Sequence, residues 1–487
     1  MKILETRRGF LTRLGMTGAA VGASPLFRAV AGTFASLKPN LKVGILSDIH
    51  VYFEHLAECI APLKRAFEYF RDNGADAVLI AGDMADSSRV VELETVGQTW
   101  REVFPGDKAP DGRKVEKLFL YGNHDARWDW PKDAGSDLIA FDRAAVWEKC
   151  FDEAYKPIYV KVVKGYTFIC LHWPVPINDQ AVSTGLAELM AVLGPKLRGE
   201  KPFFFAQHPH PKDTCSGPWA WGHDVGESTK ILSEYPNAVA FSGHSHYPLT
   251  DERVVWQGAF TSIGTSSLKY SSCDYLYREN MPKGNGKDPR PRRMERLRAD
   301  DGKQGMLMSV YDDCLVLERR EFVNGKSLGD DWVVPIPAPA VGASPFDFGR
   351  RAAARFAPEF AADAKVDVQA DVPNEKWIVT WTGAETKGKC RAFEYEVTAY
   401  AVGADVEFVA AQRRVLAKDF YLPEGERPPR GECHFAWCDL PGTMQLRFEV
   451  RPLECFGKKG KAISSGTVQY PEKKVEKSLS ENGGEIS

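Results

Sequence analysis

Residues 237–247 read NAVAFSGHSHY, an apolar run that ends in Gly-His-Ser-His. The run is typical of a buried strand. Two histidines two positions apart, after a glycine and at the end of a strand, raise the question of what needs both imidazoles. The two histidines indicate a functional site only if other segments of the chain place polar side chains beside them.

The same form, an apolar run followed by polar residues, recurs along the chain. Segments with helical spacing lie at 55–73 and 90–104 between the first of these runs. This alternation predicts a parallel α/β core. Ligands bind outside the carboxyl ends of strands in such sheets, so we expect the polar ends to gather on one rim. The runs are LKVGILSDIH (41–50), ADAVLIAGD (75–83), KLFLYGNHD (117–125), GYTFICLHW (165–173) and PFFFAQHPHP (202–211).

The polar ends occur in an order that resembles one known family. They read D-x-H at 48–50, G-D at 82–83, G-N-H-D at 122–125, then His208, then G-H-x-H at 243–246. This is similar to the calcineurin-like metallophosphoesterase superfamily. The resemblance covers residues 40–332 and implies an α/β domain with a metallophosphoesterase-type β-sandwich core flanked by helices.

The resemblance implies a dinuclear metal centre. Two divalent ions ~3.5–4 Å apart acidify a bridging water, whose hydroxide attacks phosphorus, and clamp the phosphoryl oxygens. Mixed carboxylate, imidazole and amide ligands suit Mn, Fe, Zn or Ni. Asp83 is expected to bridge both ions, and His210 remains an alternative to His208. The other implied ligands are Asp48, His50 and His246 for one ion, and Asn123, His208 and His244 for the other.

The resemblance also assigns a proton donor. His124 would assist the leaving oxygen, which is worth ~10²–10⁴-fold for a positioned acid. Asp125 would orient His124 and keep it protonated. Both follow Asn123 directly in the G-N-H-D segment.

Several residues near the motifs are candidates for substrate binding. Arg127 is expected to contact phosphate, and Trp221 to stack on a base or sugar. The alternatives are solvent exposure for the arginine and loop packing for the indole, and the same choices apply to Arg89 and Trp219. Two further histidines are less defined: His172 is expected to be structural, with substrate contact second, and His223 stays open.

Departures from family members favour one substrate class. Purple acid phosphatases have a tyrosine three residues after the bridging aspartate, where this chain has Asp86. Serine/threonine protein phosphatases have arginines where this chain has Ser87 and Tyr121. The bidentate clamps for a dianionic monoester are therefore missing from those positions. We expect a phosphodiester or a nucleotide or sugar phosphate as substrate.

The N-terminus resembles a bacterial Tat signal peptide over residues 1–31. TRRGFLT (6–12) contains a twin-arginine pair, a weakly apolar stretch covers 14–27, and AVA (29–31) is a small-x-small cleavage site. The apolar stretch is shorter than the ~20 residues that span a bilayer. We expect export by the Tat translocation machinery to the periplasm, the cell surface or the medium, and no transmembrane span.

The amino-acid composition excludes few classes of protein. The chain has 487 residues, a formal net charge of -3 and 44% hydrophobic residues, as in ordinary globular proteins. A nucleic-acid binder normally has a basic surplus, so we do not expect binding to duplexes. The ten cysteines include no C-x-x-C pair and fix no disulfide connectivity. Oligomeric state cannot be predicted.

The C-terminal third is expected to be an all-β sandwich. A Pro/Ala-rich linker at 333–345 precedes alternating apolar and polar segments within 346–470, which resemble a fibronectin type III module. Residues 471–487 have the composition of a disordered tail. Residues 281–303 are expected to form a basic solvated loop.

Together these features predict an exported phosphoester hydrolase that depends on two metal ions. One alternative is a binding or scaffold protein that retains the phosphoesterase fold without activity. Another is a phosphomonoesterase.

Overall fold

The computed structural model describes residues 38–127, 137–174, 183, 185–217, 221–273, 295–296, 302–385, 391–417 and 430–471. Its contacts divide the chain into two units. The first comprises Met1–Phe356 with Cys455–Lys458, and the second comprises Ala357–Glu454 with Lys459–Ser487. The signal peptide, Trp219 and nearly all of the basic loop and C-terminal tail lie outside the described residues.

The first unit contains strands β1 to β14. Their bounds are β1 (Leu41–Leu46), β2 (Ala77–Ala81), β3 (Glu116–Leu120), β4 (Ile158–Val163), β5 (Tyr166–Leu171), β6 (Phe203–Ala206), β7 (Ala238–Ser242), β8 (Val255–Gln257), β9 (Thr261–Gly264), β10 (Ser272–Cys273), β11 (Glu295–Arg296), β12 (Gln304–Val310), β13 (Cys314–Glu321) and β14 (Trp332–Pro335). The α-helices of this unit are α1 (Leu56–Asp72), α2 (Val90–Val103), α3 (Arg143–Phe151), α4 (Leu186–Leu197), α5 (Glu227–Leu232) and α6 (Phe348–Ala354). The predicted strands and helices therefore exist, with slightly shorter bounds.

Twelve of these strands form two six-stranded sheets. The first sheet has the order β14-β13-β12-β1-β2-β3, and β1, β2 and β3 run parallel. The second has the order β4-β5-β6-β7-β9-β8, and β5, β6, β7 and β9 run parallel. The carboxyl ends of the parallel strands define the rim where the polar segments were expected.

The two sheets pack face to face with helices outside. One buried cluster contains Val43 and Met308 of the first sheet with Phe168 and Phe241 of the second. A second cluster joins α1, α2 and α3 to the outer face of the first sheet, and a third joins α4 and α5 to the outer face of the second. This arrangement is the predicted α/β metallophosphoesterase-type β-sandwich core flanked by helices.

Local sequence explains the central elements. All five residues of β2, AVLIA, are buried because the strand is central and covered on both faces. Helix α1 ends where Gly74 adopts a φ of 78° and its N–H bonds to the carbonyl of Arg71, a turn that favours glycine.

The first unit extends further than the sequence indicated. The expected linker at 333–345 begins within β14, which pairs with β13. Ile336 and Phe346 are buried in the core between the sheets. The apolar residues among the prolines therefore pack against the first unit.

The second unit is all-β in its described part. It contains β15 (Val366–Asp371), β16 (Lys376–Thr382), β17 (Glu394–Val402), β18 (Glu407–Leu416), β19 (Arg430–Ala436), β20 (Gln445–Leu453) and β21 (Ile463–Ser464). The sheets have the orders β15-β16-β19 and β18-β17-β20-β21, and Phe435 of one lies 5.4 Å from Phe448 of the other, between ring centroids. The predicted all-β fold is confirmed, and the likeness to fibronectin type III stays a prediction.

No helix among the described residues has the length and apolar character that a membrane span requires.

Candidate dinuclear metal centre

The predicted metal ligands follow the carboxyl ends of five strands. Their side chains converge across the two sheets, although the positions span 48 to 246 in sequence. Two groups of side chains have ligand atoms within 4.8 Å of one another. One group is Asp48, His50 and His246, and the other is Asp83, His208 and His244.

The first group meets around Oδ1 of Asp48. This oxygen lies 3.0 Å from Nε2 of His246 and 3.8 Å from Nε2 of His50. The two Nε2 atoms are 3.2 Å apart. One carboxylate oxygen and two imidazole nitrogens thus face a common point, a donor set that suits a divalent transition metal.

The second group meets around Oδ2 of Asp83. This oxygen lies 3.1 Å from Nε2 of His208 and 3.7 Å from Nε2 of His50, which belongs to the first group. The other oxygen, Oδ1, accepts the backbone N–H of His124 at 2.8 Å. One carboxylate oxygen therefore lies between the two groups, as a bridging ligand must.

Asn123 adds an independent indication of a cation. Its Oδ1 atom is buried and accepts no hydrogen bond from any part of the chain that the structure describes. A buried polar atom without a partner costs about 1–3 kcal/mol. A metal ion beside Asp83 and His208 would satisfy it, so the residues present fit the implied ligand set.

Three of the ligand histidines are oriented through Nδ1. That atom lies 2.7 Å from the Ala81 carbonyl in His208 and 3.1 Å from the Tyr270 carbonyl in His246. In His50 it lies 3.0 Å from Oδ1 of Asp86. Because a carbonyl only accepts, the Nδ1 atoms of His208 and His246 carry the proton, and each Nε2 lone pair points toward the centre.

The backbone at the centre is strained. Five ligands have positive φ, a conformation that costs about 1–3 kcal/mol for each non-glycine residue. Such residues cluster at functional sites, where the surrounding structure enforces them. They are Asp48 (50°), His50 (46°), Asp83 (52°), His244 (73°) and His246 (58°).

Two glycines of the motifs are required because neighbouring side chains lie too close to leave room for a Cβ. A Cβ on Gly122 would collide with the carboxylate of Asp83, and one on Gly243 would collide with Ser47 and Asp48. Gly243 is absent from the residues with positive φ. The glycine is therefore required here by the space that Ser47 and Asp48 occupy.

The histidines of the centre have pKa values that are shifted in opposite directions. Burial opposes charge on His208, but Asp83 and Asp48 raise its pKa to about 9. Burial likewise opposes charge on His50, and hydrogen bonds to Asp48 and Asp86 raise its pKa well above the ordinary value. Burial and the neighbouring His208 lower the pKa of His244 to about 3.

The two carboxylates of the centre have lowered pKa values. Burial would raise the pKa of Asp48, but His246 and His208 hold it well below its usual range. Burial also opposes ionisation of Asp83, whose pKa is lowered by His208 and His124. The centre therefore holds two carboxylates in their anionic, metal-binding form.

His124 lies at the centre but its orientation differs from the prediction. Its ring is 4.6 Å from that of His50, between centroids, and its Nδ1 lies 2.6 Å from the carbonyl oxygen of Asp86. Burial lowers its pKa. The Nδ1–H therefore donates to the Asp86 carbonyl, which leaves Nε2 without that contact.

Asp125 has a structural role instead of the predicted orienting one. Its carboxylate accepts three backbone N–H groups: Met84 at 3.2 Å, Ala85 at 2.7 Å and Gly122 at 2.7 Å. It is fully buried, and burial together with the Asp83 charge raises its pKa to about 7. Asp125 therefore joins the two loops that carry Asp83 and Asn123.

The remaining histidines lie outside the metal cluster. His210 contacts two serine hydroxyls and does not replace His208. His172 accepts the backbone N–H of Tyr121 at 3.0 Å within an aromatic cluster, which agrees with a structural role. His223 lies between the backbone N–H of Asp213 and the carbonyl of Cys215, both at 3.1 Å.

The two predicted substrate contacts are Trp221, which lies beside a candidate ligand, and Arg127, which follows one in sequence. The Trp221 ring stacks on His244, 4.4 Å between centroids and 22° between planes, so one face covers a ligand. Arg127 is half-buried two residues after Asp125, and its contact with phosphate stays a prediction. Sequence reasoning missed Tyr270, whose ring lies 4.3 Å from His246, because it follows no recognisable motif.

Comparison with known proteins agrees with this geometry. Residues 41–248 match the model of the calcineurin-like phosphoesterase family, a range that includes every predicted metal ligand. No curated protein matches the chain. Residues 41–248 are therefore similar to a calcineurin-like phosphoesterase domain, which supports a metal-dependent phosphoesterase.

Solved structures with similarity to the chain include two phosphatases. A dimetal phosphatase from Danio rerio is 14% identical, with a TM-score of 0.34, and the match covers 61% of this chain and 99% of that one. A purple acid phosphatase from yellow lupin (Lupinus luteus) seeds is 13% identical, with a TM-score of 0.38, over 62% of this chain and 55% of that one.

Proposed function

We propose that this chain, whose residues 41–248 match the calcineurin-like phosphoesterases, is an exported hydrolase that uses two divalent metal ions. The position of Asp83 carries the proposal. One of its carboxylate oxygens lies 3.1 Å from His208 and 3.7 Å from His50, between the two ligand groups. An anionic ligand shared in this way offsets the repulsion between two closely spaced cations.

The ligand groups define how the ions would be held. Asp48, His50 and His246 would hold one, Asn123, His208 and His244 the other, and Asp83 both. Two divalent ions there would acidify a water molecule and neutralise charge on the phosphoryl oxygens. The mixed oxygen and imidazole donors suit Mn, Fe, Zn or Ni.

The chain itself supplies the proton for the leaving group. His124 lies beside His50 with Nδ1 held by the carbonyl of Asp86. When protonated, its Nε2–H is the donor that can reach a leaving oxygen. The lowered pKa makes this imidazolium a stronger acid than an exposed one.

We further propose a phosphodiester, or a nucleotide or sugar phosphate, as substrate. Two positions that carry arginine in serine/threonine protein phosphatases are engaged elsewhere here. The Ser87 hydroxyl donates to Glu92 at 2.6 Å, and Tyr121 packs on Trp147 at 4.8 Å between ring centroids. Arg127 and Trp221 are the proposed substrate contacts at the rim.

A substrate comparison tests the function. Protein stripped of metal and reconstituted with Mn²⁺, Zn²⁺ or Fe²⁺ should release nitrophenolate from bis-p-nitrophenyl phosphate, faster than from p-nitrophenyl phosphate. Faster turnover of the monoester would overturn the substrate class. Metal-loaded protein that cleaves neither compound, nor pyrophosphate, would favour the binding or scaffold alternative.

Export is proposed from residues 1–31 alone. The test is a change of Arg7 and Arg8 to lysine in the full chain, with the protein followed by fractionation. We expect the variant to accumulate in the cytoplasm while the parent is exported. Equal export of both would contradict the Tat route.

A further inference from the structure

His210 lies two residues after the predicted ligand His208 and is outside both candidate ligand groups. It is buried, with 1% of its surface exposed. Both ring nitrogens contact hydroxyl groups: Nδ1 lies 2.7 Å from Oγ of Ser242, and Nε2 lies 2.5 Å from Oγ of Ser245. A neutral imidazole with one donor and one acceptor satisfies both hydroxyls at once.

The two serines flank the segment that carries the last ligands. Ser242 is the final residue of β7, and Ser245 lies between His244 and His246. Those histidines belong to different ligand groups. The His210 ring therefore spans the point where the chain leaves the sheet and turns toward the two metal positions.

This turn needs external support. His244 and His246 both adopt positive φ, which the chain does not favour by itself for residues with a Cβ. The Ser245 N–H bonds to the carbonyl of Gly243 at 2.9 Å, and two contacts from outside the turn join its backbone: the Ser272 hydroxyl to the Ser245 carbonyl and the His244 N–H to Asp48, both at 3.0 Å. The contact from His210 comes from the neighbouring strand end, so it fixes the turn relative to the sheet.

The backbone of His210 reaches His244 by a second route. Its N–H donates to the carbonyl of Gly222 at 2.7 Å, and its carbonyl accepts the N–H of Asp224 at 2.8 Å. That paired segment follows Trp221, whose ring stacks on His244. One residue thus supports both the turn that carries His244 and the indole that covers it.

We propose that His210 is a positioning residue for the dinuclear centre, which holds the 243–246 turn so that His244 and His246 point at separate ions. The inference rests on the proposed metal-dependent function and adds a residue outside the ligand set.

Substitutions of His210 can remove one of its two serine contacts and keep the other. In His210→Gln the amide lies near the place of Nε2 and can still reach Ser245, whereas in His210→Asn it lies near the place of Nδ1 and reaches only Ser242. Ser245→Ala removes the same contact from the other side with little change in volume. Ser344→Ala is the matched control, since Ser344 is a buried serine that donates to Gln257 and has no contact with His210 or the 243–246 turn among the described residues.

The readout is Mn²⁺ or Zn²⁺ affinity, measured by calorimetry on metal-free protein, with thermal unfolding of the same samples. We expect His210→Asn and Ser245→Ala to bind metal about 10–100-fold more weakly. His210→Gln should stay within a few-fold of the parent, and Ser344→Ala should be unchanged. The unfolding midpoints separate this pattern from a general loss of stability.

Unchanged affinity in both His210→Asn and Ser245→Ala would overturn the proposal and leave His210 a packing residue. Equal weakening in Ser344→Ala would do the same. A parent protein that binds two ions but cleaves no phosphoester would contradict the proposed function and leave the positioning role standing. A parent that binds no metal would overturn both.

Discussion

The Nδ1 atom of His50 lies 3.0 Å from Oδ1 of Asp86, a carboxylate that is 36% exposed. The backbone carbonyl of the same residue lies 2.6 Å from Nδ1 of His124. Asp86 thus contacts a candidate metal ligand with its side chain and the proposed proton donor with its backbone. A substitution of the side chain should affect only the first of these contacts.

The Asp86→Ala variant should bind metal more weakly at one site. Loss of a carboxylate that orients a ligand histidine costs about 10–100-fold in affinity. Because the backbone carbonyl remains, His124 should keep its position. Calorimetric titration with Zn²⁺ should show one weakened and one unchanged binding event, and two unchanged events would refute the role of Asp86. Asp72→Ala, an exposed aspartate at the end of α1, is the control.

The His124→Ala variant should lose turnover and keep its metals. We expect a fall of ~10²–10⁴-fold in kcat with bis-p-nitrophenyl phosphate, since a positioned acid contributes that much. Metal content by mass spectrometry should match the parent. Turnover within a few-fold of the parent would show that the leaving group departs without His124. A substrate with a more acidic leaving group should show a smaller loss.

The Asp125→Ala variant should be destabilised even without metal. Three backbone N–H groups would lose their acceptor, and each buried, unsatisfied group costs about 1–3 kcal/mol. We expect the free energy of unfolding to fall by about 3–5 kcal/mol in urea titrations. Asp142→Ala, which removes a helix N-cap at α3, should cost only about 1 kcal/mol. A loss at Asp125 no larger than at Asp142 would contradict the structural role.

Metal binding should release protons. In the metal-free protein the neighbouring carboxylates raise the pKa of His208 to about 9 and that of His50 well above the ordinary value, which favours the protonated form of both. A metal ligand must be neutral, so these protons leave on binding. Calorimetry in buffers with different ionisation enthalpies should detect more than one proton per chain. Release of none would contradict the charged apo state.

The same shifts predict how stability depends on pH. The folded-state pKa of His208 lies above its ordinary value of 6.5, so its contribution is full below pH 6.5 and is lost as pH rises through about 9. Metal-free protein should therefore lose thermal stability over this range. Metal-loaded protein, whose ligand histidines are already deprotonated, should lose less. A metal-free midpoint that is constant from pH 6.5 to 9 would contradict this linkage.

Much of the fold and most of the ligand set could be predicted from the sequence. Each strand is a short apolar run, and each ligand follows directly, because parallel strands present their carboxyl ends on one rim. The choice between His208 and His210 could not be made from sequence, since residues two apart on an extended segment face the same side. The structure separates them, because Nε2 of His208 lies 3.1 Å from Oδ2 of Asp83 whereas the ring nitrogens of His210 contact Ser242 and Ser245.

The orientation of His124 was also beyond sequence reasoning. Its neighbour Asp125 was the obvious partner, but that carboxylate turns back to three backbone N–H groups. The actual contact is the carbonyl of Asp86, and a backbone atom leaves no mark on residue identity. The boundary near residue 345 differed for a related reason, because the Pro/Ala-rich segment includes apolar residues that pack in the core.

The bridging position of Asp83 is the central claim, and the magnetic coupling of two Mn²⁺ ions tests it most directly. Protein loaded with two equivalents should give the electron paramagnetic resonance spectrum of an exchange-coupled pair, which requires ions that share a ligand. Asp83→Asn should bind at least one ion fewer and give an uncoupled Mn²⁺ spectrum. Two tightly bound, uncoupled ions in the parent, or full occupancy and coupling in Asp83→Asn, would contradict the account.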